Sequence, residues 1–391
     1  MKKTRREFLT AATAFAGTFP ALAMAENAKK EEVALAPPDK QPEELEVEEA
    51  PAKQLGWAIV GLGELALGEI MPAFADCKLS KPVALVSGHP DKAAKVAKAH
   101  GIDPGAIYNY NNFDTIASDD RIDVVYIVLP NSMHAEFTIR ALKAGKHVLC
   151  EKPMAVTVAE GESMQDAAAG EKLKLSIAYR LHHEPLNRQV MQWCKEKKFG
   201  KIRSINSSNC QNVKAPNIRL SAKLGGGPVG DVGIYSINAA RYITGEEPVE
   251  VMATAFQPDD DPRFREVPET VAFMLRYPSG IIANCDCSFG TTESRRYRVL
   301  CERGYLEMDP AFSYRGLRLR TREELGKKES SGLEEVNLRQ VDHFAAEMDA
   351  FSKAVMEDGE ILTPASMGIA DLKIIAAINE SAMTGKLVRI S

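Results

Sequence analysis

Leu55–Ala66 reads LGWAIVGLGELA, and this stretch sets the architecture of the segments around it. Its Trp57–Val60 run is apolar, as expected for a strand buried in a parallel sheet. Glycines follow, and glycine allows both a tight turn and a close approach of the backbone to a pyrophosphate. A helix beginning here would add free N–H groups and the positive end of its dipole. The stretch therefore predicts a dinucleotide-binding turn. The predicted cofactor contacts in it are Gly61, Gly63, Glu64 and Leu65.

Strand-like and helix-like segments alternate after this turn, which indicates a parallel sheet with helices between its strands. Helices are predicted at Asp91–His100 and Ser132–Ala144, the second ended by Gly145. These segments predict a Rossmann-type α/β domain over residues 54–178. Its further strands are predicted at Val83–Ser87, Val124–Leu129, His147–Cys150 and Leu173–Ala178.

A different pattern begins near residue 180. A helix is predicted at Pro185–Lys197, and helices at Val341–Met356 and Met367–Met383 close the chain. The apolar runs between them predict the antiparallel sheet of an α+β domain over residues 179–391. These runs are Ile202–Ser207, Val249–Ala255, Thr270–Arg276, Ile281–Ser288, Tyr297–Cys301 and Tyr305–Met308.

The N-terminus carries a predicted export signal, residues 1–25. Arg5-Arg6 forms a twin-arginine pattern, a weakly apolar stretch follows, and Ala23-Met24-Ala25 offers a cleavage site. This segment predicts export of the folded protein to the periplasm. Residues 26–53 are rich in Pro, Ala and Glu, which predicts an extended arm without a core of its own.

Composition excludes several classes of protein. The 391 residues carry a net charge of −5, which favours neither nucleic acid nor an acidic membrane surface. The apolar stretch of the signal is too short for a transmembrane helix, and no other membrane span is predicted. The seven cysteines are odd in number and irregularly spaced, so neither a disulfide framework nor a metal site is predicted.

The second predicted strand ends at Ser87, where an NAD-binding protein usually has an acid for the ribose hydroxyls. Ser87 with His89 and Lys92 suits a 2′-phosphate instead. NADP is therefore the favoured cofactor, and NAD the less favoured one. We interpret Asp91 as the cap of the next helix, with a ribose-binding acid as the alternative.

A polar cluster, Leu129–His134, follows the third predicted strand, and doubly wound sheets bind ligands at such strand ends. Its candidate cofactor contacts are Leu129, Asn131 and His134. Alternative roles are helix capping by Asn131 or Ser132, and packing of His134 within the helix.

A second cluster, Cys150–Pro153, follows the fourth predicted strand. Lys152 stands directly before a proline at the mouth of the sheet and has no evident packing role.

A third cluster, Gly225–Tyr235, contains Asp231 and Tyr235. If both lie on one helix, their spacing puts them on one face, where a carboxylate and a phenol can position and deprotonate an alcohol. The alternative is capping by Asp231 and packing by Tyr235.

Together these motifs resemble those of the Gfo/Idh/MocA oxidoreductase family, and within it the glucose–fructose oxidoreductases. The likeness covers nearly the whole chain. Glu-Lys-Pro at 151–153 and Asp-x-Gly-x-Tyr at 231–235 are specific in combination. The resemblance implies a Rossmann domain followed by a domain with a large, mostly antiparallel open sheet. It also implies that this sheet mediates assembly, as a homodimer or homotetramer.

The resemblance further implies roles for individual residues. Lys152, Asp231 and Tyr235 would surround the substrate carbon, with Tyr235 favoured as the base and Lys152 as the alternative. Ile218 stands where the family has a Trp, and Ser221 and Ala222 stand where it has arginines. The resemblance therefore does not identify the two sugar substrates. The residues that would contact a tightly held NADP are Ser87, Lys92, Asn131, Glu151, Lys152, Arg180, Arg219 and Tyr314.

The expected activity is ping-pong hydride transfer, from C1 of an aldose to bound NADP and then to a second sugar. A cofactor that is carried through export and retained removes the need for reduced nicotinamide in the periplasm. The alternatives are a sugar dehydrogenase with exchangeable NAD(P), and an NAD-dependent glycosidase of the same fold.

Overall fold

The computed structural model describes residues 53–324 and 332–390. Within them, the first sheet has six parallel strands in the order β3-β2-β1-β4-β5-β6. Its strands are β1 (Leu55–Val60), β2 (Ser80–Val86), β3 (Ile107–Tyr108), β4 (Val124–Ile127), β5 (His147–Glu151) and β6 (Leu175–Ala178).

This strand order creates a crevice at the carboxyl ends of β1 and β4. The chain builds the sheet outward from β1 to β3, then returns to the centre and continues in the other direction from β4. Ligands of doubly wound sheets bind at such a reversal. The centre is fixed by packing, since β1 is buried along its whole length. Trp57 on β1 has no exposed surface and packs edge-on against Phe74, Tyr126 and Phe351.

The second sheet has nine strands in the described residues, in the order β14-β13-β12-β11-β7-β10-β9-β8-β15. Neighbouring strands are antiparallel, except that β7 and β10 are parallel. Its strands are β7 (Ile202–Asn212), β8 (Glu250–Phe256), β9 (Thr270–Arg276), β10 (Ile282–Ser288), β11 (Gly290–Cys301), β12 (Gly304–Met308), β13 (Leu319–Glu323), β14 (Glu334–Val336) and β15 (Val388–Arg389).

Helices connect the two sheets. The α-helices of the described residues are α1 (Met71–Ala73), α2 (Pro90–His100), α3 (His134–Lys143), α4 (Val158–Glu171), α5 (Pro185–Lys195), α6 (Ile234–Thr244), α7 (His343–Met356) and α8 (Ala365–Thr384). A π-helical turn at Ala66–Ile70 precedes α1, and another at Val229–Gly233 precedes α6. Helix α8 contacts α4, α6 and β8, and therefore joins the helices beside the parallel sheet to the nine-stranded sheet.

The predicted fold class is confirmed: a Rossmann-type parallel sheet comes first, and a large, mostly antiparallel sheet follows. The predicted export signal and residues 26–52 of the predicted arm lie outside the described residues. Over residues 53–324 and 332–390, no helix is both long and apolar enough to cross a membrane. The same residues contain no cluster of side chains suited to a metal ion.

Candidate active site

The turn after β1 has the geometry that a dinucleotide requires. Gly61 has φ +98°, and a Cβ there would lie 2.2 Å from the carbonyl oxygen of Val128. Any other residue would therefore push β1 and the β4 loop apart. A Cβ at Gly63 would meet nothing within 4 Å, so the chain leaves open space beside this backbone. A tight turn followed by an exposed peptide is what close approach of a pyrophosphate needs.

One cleft of about 770 Å³ opens at the carboxyl ends of β1, β4 and β5. Every site residue predicted from the sequence lines it, although those residues come from segments spread between positions 61 and 314. Their contacts with a ligand stay a prediction, but their meeting in one cleft is a property of the fold. They are Gly61, Gly63, Glu64, Leu65, Ser87, His89, Lys92, Leu129, Asn131, His134, Glu151, Lys152, Arg180, Arg219, Asp231, Tyr235 and Tyr314.

The end of the cleft beside β2 presents no carboxylate on the strand terminus. The Ser87 hydroxyl accepts a hydrogen bond from the backbone N–H of His89 at 3.1 Å. The Lys92 ammonium lies 3.3 Å from the carbonyl oxygen of Leu62, next to the glycine turn. The interpretation of Asp91 as a helix cap is wrong, because His89 occupies the cap position of α2. Asp91 lies in the first turn instead, where its charge favours the helix dipole.

Asn131 and His134 hold the loops of the cleft together. The Asn131 side chain donates to the carbonyl oxygen of Gly225 at 2.8 Å, which joins the β4 loop to the segment before α6. His134 has no exposed surface, and its ring nitrogens face the carbonyl oxygens of Pro153 and Leu129 at 2.8 and 2.9 Å. Burial lowers the pKa of His134. The structure thus favours the packing alternative for His134, with its ring bridging two loops rather than offering a free nitrogen.

Glu151 and Arg180 are also largely engaged within the protein. Glu151 accepts hydrogen bonds from the Tyr126 hydroxyl at 2.9 Å and from the Lys152 N–H at 3.2 Å, and burial raises its pKa. Arg180 donates to the carbonyl oxygens of Phe312 and Ser313, and its guanidinium lies 4.7 Å from the Tyr314 ring. Arg180 therefore fixes the loop that carries Tyr314 at the wall of the cleft.

Lys152 and Asp231 form the charged centre of the cleft. The Lys152 ammonium donates to the carbonyl oxygen of Asp231 at 2.8 Å and lies 3.5 Å from its Oδ1. Burial alone would lower the pKa of Lys152, but electrostatic interactions with the side chains of Tyr235, Asp231 and Glu151 outweigh it and raise the pKa. Burial alone would likewise raise the pKa of Asp231, but Lys152 and Arg219 lower it. Both groups are therefore charged at neutral pH.

Tyr235 lies beside this pair. Asp231 belongs to the π-helical turn and Tyr235 to the first turn of α6, so the predicted single helix face is made by two helix types. The Lys152 ammonium lies 4.6 Å from the centre of the Tyr235 ring, over its face. No hydrogen bond joins the Tyr235 hydroxyl to any residue in the described part of the chain. That hydroxyl is free to meet a substrate.

Several residues that line the cleft were not predicted from the sequence. Asn209 and Gln211 lie two positions apart on β7, and the predicted strand ended at Ser207, so their shared face was not seen. Alternation of side chains along a longer strand would have found them. Arg295 on β11 also lies in a part of the strand that was missed.

Known protein families match most of this architecture. Residues 55–179 match the oxidoreductase family model with an NAD-binding Rossmann fold. Residues 187–307 match the Gfo/Idh/MocA C-terminal domain. The glycine turn and cleft fit the first of these descriptions, because both provide for a dinucleotide.

The similarity to individual relatives extends over almost the whole length of each relative. The aldose-aldose oxidoreductase of Caulobacter crescentus, solved with glycerol, shares 39% identity with a TM-score of 0.82, covering 86% of this chain and 100% of that one. D-xylose 1-dehydrogenase (NADP(+)) 2 of Haloferax volcanii is 32% identical, covering 85% of this chain and 99% of the relative. The D-xylose 1-dehydrogenase (NADP(+)) of Haloarcula marismortui is 29% identical, covering 85% and 92%.

Fold, cleft and family models together define an oxidoreductase with a dinucleotide-binding Rossmann fold. The chain belongs to the Gfo/Idh/MocA oxidoreductase family.

Proposed function

We propose that the chain oxidises an aldose at C1 with a tightly held NADP and then passes the hydride to a second sugar. The observation that carries this proposal is the meeting of Lys152, Asp231 and Tyr235 in the cleft that the glycine turn opens. A sugar hydroxyl placed there would face a cation, a carboxylate and a phenol at once. The similarity to an aldose-aldose oxidoreductase supports both the sugar substrates and the use of two of them.

The three residues divide the work of removing a hydroxyl proton. A bound nicotinamide supplies the hydride acceptor. The Lys152 ammonium donates a hydrogen bond to the reacting oxygen, and Asp231 accepts one from a neighbouring hydroxyl. Tyr235, reacting as the phenolate, takes the proton and becomes a neutral phenol, because Lys152 already carries its own proton at neutral pH.

NADP is the proposed cofactor because the end of β2 offers a hydroxyl and a cation rather than an acid. Ser87, His89 and Lys92 would hold the 2′-phosphate, and the glycine turn would hold the pyrophosphate. The names of two relatives, both D-xylose 1-dehydrogenases, specify NADP(+), which supports this choice.

A second candidate function is a sugar dehydrogenase that exchanges its cofactor at each turnover. The D-xylose 1-dehydrogenases match this chain over 85% of its length, and that observation favours it. The open cleft allows both schemes, so retention of the cofactor decides between them. A nicotinamide-dependent glycosidase is the third candidate, and it predicts hydrolysis without net oxidation.

The remaining parts of the proposal concern the whole protein. We propose that it is exported through its twin-arginine signal, residues 1–25, and works in the periplasm as a homodimer or homotetramer. Residues 26–53 would form an arm against a neighbouring subunit. A fractionation experiment with Arg5 and Arg6 both changed to Lys tests the route, because export through this route should then stop.

The test of the activity is a desalting experiment. Purified protein, freed of unbound nucleotide, is mixed with an aldose, and the NADPH absorbance band is followed. The band should appear at one equivalent per site and disappear when a second sugar is added. Reduction only after NADP is supplied from outside would establish the exchangeable dehydrogenase instead. Glycoside cleavage without any lactone product would establish the glycosidase.

A further inference from the structure

Arg219 makes the shortest contact with the Asp231 carboxylate. Its Nε donates to Oδ2 at 2.7 Å, and Gln211 donates to the same oxygen at 3.3 Å. Lys152 stands farther off, 3.5 Å from Oδ1. Oδ2 is therefore occupied by protein donors, whereas Oδ1 keeps lone pairs for a ligand.

The loop before α6 is shaped to bring Arg219 to this position. The Asn217 side chain accepts a hydrogen bond from the Arg219 N–H at 3.1 Å, and the Arg219 carbonyl oxygen accepts one from Gly227 at 2.9 Å. A Cβ at Gly226 would lie 2.4 Å from that carbonyl oxygen. The glycine run Gly225–Gly227 thus lets the loop fold back on itself and deliver the guanidinium to Asp231.

We propose that Arg219 is a positioning residue of the hydride-transfer step and acts through Asp231, an inference that rests on the proposed function. Its guanidinium fixes one carboxylate oxygen and leaves the other turned to the substrate. This role differs from the cofactor contact that family resemblance implies for Arg219. The guanidinium lines the cleft and only its Nε is engaged by described residues, so its terminal nitrogens remain available to a ligand.

Arg219 also keeps Lys152 available. Lys152 donates one hydrogen bond to the backbone carbonyl oxygen of Asp231 and makes only a long contact with the Asp231 carboxylate. Without Arg219, the carboxylate would have Lys152 as the one cation facing it among the described residues, and the two would draw together. Lys152 would then be withdrawn from the reacting oxygen, and Asp231 would lose the orientation that leaves Oδ1 open.

The experiment compares Arg219→Gln and Arg219→Lys with the wild-type protein in single-turnover reduction of bound NADP by an aldose. Arg219→Gln should slow the step about tenfold to a hundredfold, the size of one charge-assisted hydrogen bond. On the acid side of the pH–rate profile, the rate of this variant should begin to fall at a higher pH than that of the wild type. The reason is that loss of a cation makes Asp231 easier to protonate. Arg219→Lys keeps the charge, so its rate should fall at the same acidic pH as that of the wild type, although the step should remain slower than in the wild type. Bound dinucleotide per subunit is measured in each sample.

The control is Lys223→Gln, which removes the same charge from an exposed position of the same loop. It should leave the rate and pH profile unchanged. An Arg219→Gln protein that loses dinucleotide, but reacts at the wild-type rate at each occupied site, would overturn the inference and make Arg219 a cofactor contact only. A wild-type protein that shows no reduction by any aldose would instead count against the proposed function.

Discussion

Tyr235 and Lys152 lie together in the cleft, and the protonation state of Lys152 decides whether it competes with Tyr235 for a proton. The pKa of Lys152 is raised, so at neutral pH its ammonium can donate a hydrogen bond to an oxygen but cannot take a proton from one. Tyr235 has a hydroxyl that no described residue engages. Tyr235 as the base stays a prediction, which the following variant tests.

Changing Tyr235 to Phe removes the hydroxyl and keeps the ring under Lys152. We expect single-turnover reduction of the bound cofactor to slow by about 10²–10⁴-fold, the usual contribution of a positioned acid or base. Dinucleotide content should stay at the wild-type level. Reduction at the wild-type rate would exclude Tyr235 as the base.

Residue identities were predictable where a motif carries the chemistry. Lys152 could be found because a lysine before proline at a strand end has little to pack against, and Tyr235 because it follows an aspartate by one helical turn. The contact between Arg219 and Asp231 could not be found, because it depends on a loop whose path is set by the glycines. For His134 the sequence left two roles open, cofactor contact and packing, because a histidine that follows a strand can pack as well as bind; both of its ring nitrogens face backbone carbonyl oxygens.

Some of the elements that were not predicted are short or lie beyond a polar residue, whereas α4, with 14 residues, and β13, with five, are neither. β3, β14 and β15 contain two or three residues each and present no period to detect. The predicted β7 ended early because Ser, Asn and Gln follow Ile205, although the strand continues to Asn212. The parallel pairing of β7 with β10 is a tertiary property, since neither strand's sequence reports its partner's direction.

An ion pair between α6 and α8 supplies an element-scale test. Arg241 donates to Asp371 at 2.6 Å, and Asp371 has no exposed surface. Removing one partner of a buried pair leaves the other uncompensated, so Arg241→Gln should lower the free energy of unfolding by about 3–5 kcal/mol. Glu247, the other carboxylate bound by Arg241, is 61% exposed.

Urea denaturation measures both changes. Glu247→Gln is the matched control and should cost only about 0.2–1 kcal/mol, because solvent screens an exposed ion pair. Equal losses for the two variants would show that the Arg241–Asp371 pair does not hold α6 against α8.

Five histidines that are buried or half-buried make the stability of the molecule depend on pH. Burial lowers the pKa of His134, His147 and His182, lowers that of His183 to about 3 and that of His343 to about 4. The unfolded chain takes up protons near pH 6.5, whereas the folded chain does so only at lower pH. These histidines therefore bind more protons in the unfolded state in this window, and their contribution to the free energy of unfolding decreases as pH falls below about 6.5.

Chemical denaturation at pH 7.5 and pH 5.0 checks this expectation. As pH falls from 7.5 to 5.0, the change in the free energy of unfolding should be less unfavourable for the His183→Gln protein than for the wild-type protein, because the variant lacks one histidine with a lowered pKa. His100→Gln, at an exposed position, should follow the wild-type curve. If His183→Gln shows the full wild-type loss, His183 does not contribute to the dependence.

Identification of the dinucleotide in the purified protein shows whether this cleft holds NADP for sugar oxidation. The purified protein is washed free of loose nucleotide and denatured with acid or alkali, which preserve the oxidised and reduced forms respectively. The released compound is then separated and quantified. We expect NADP or NADPH at close to one molecule per subunit, because Ser87, His89 and Lys92 leave room for a 2′-phosphate beside β2. Empty protein that prefers NAD in a binding titration would contradict this expectation.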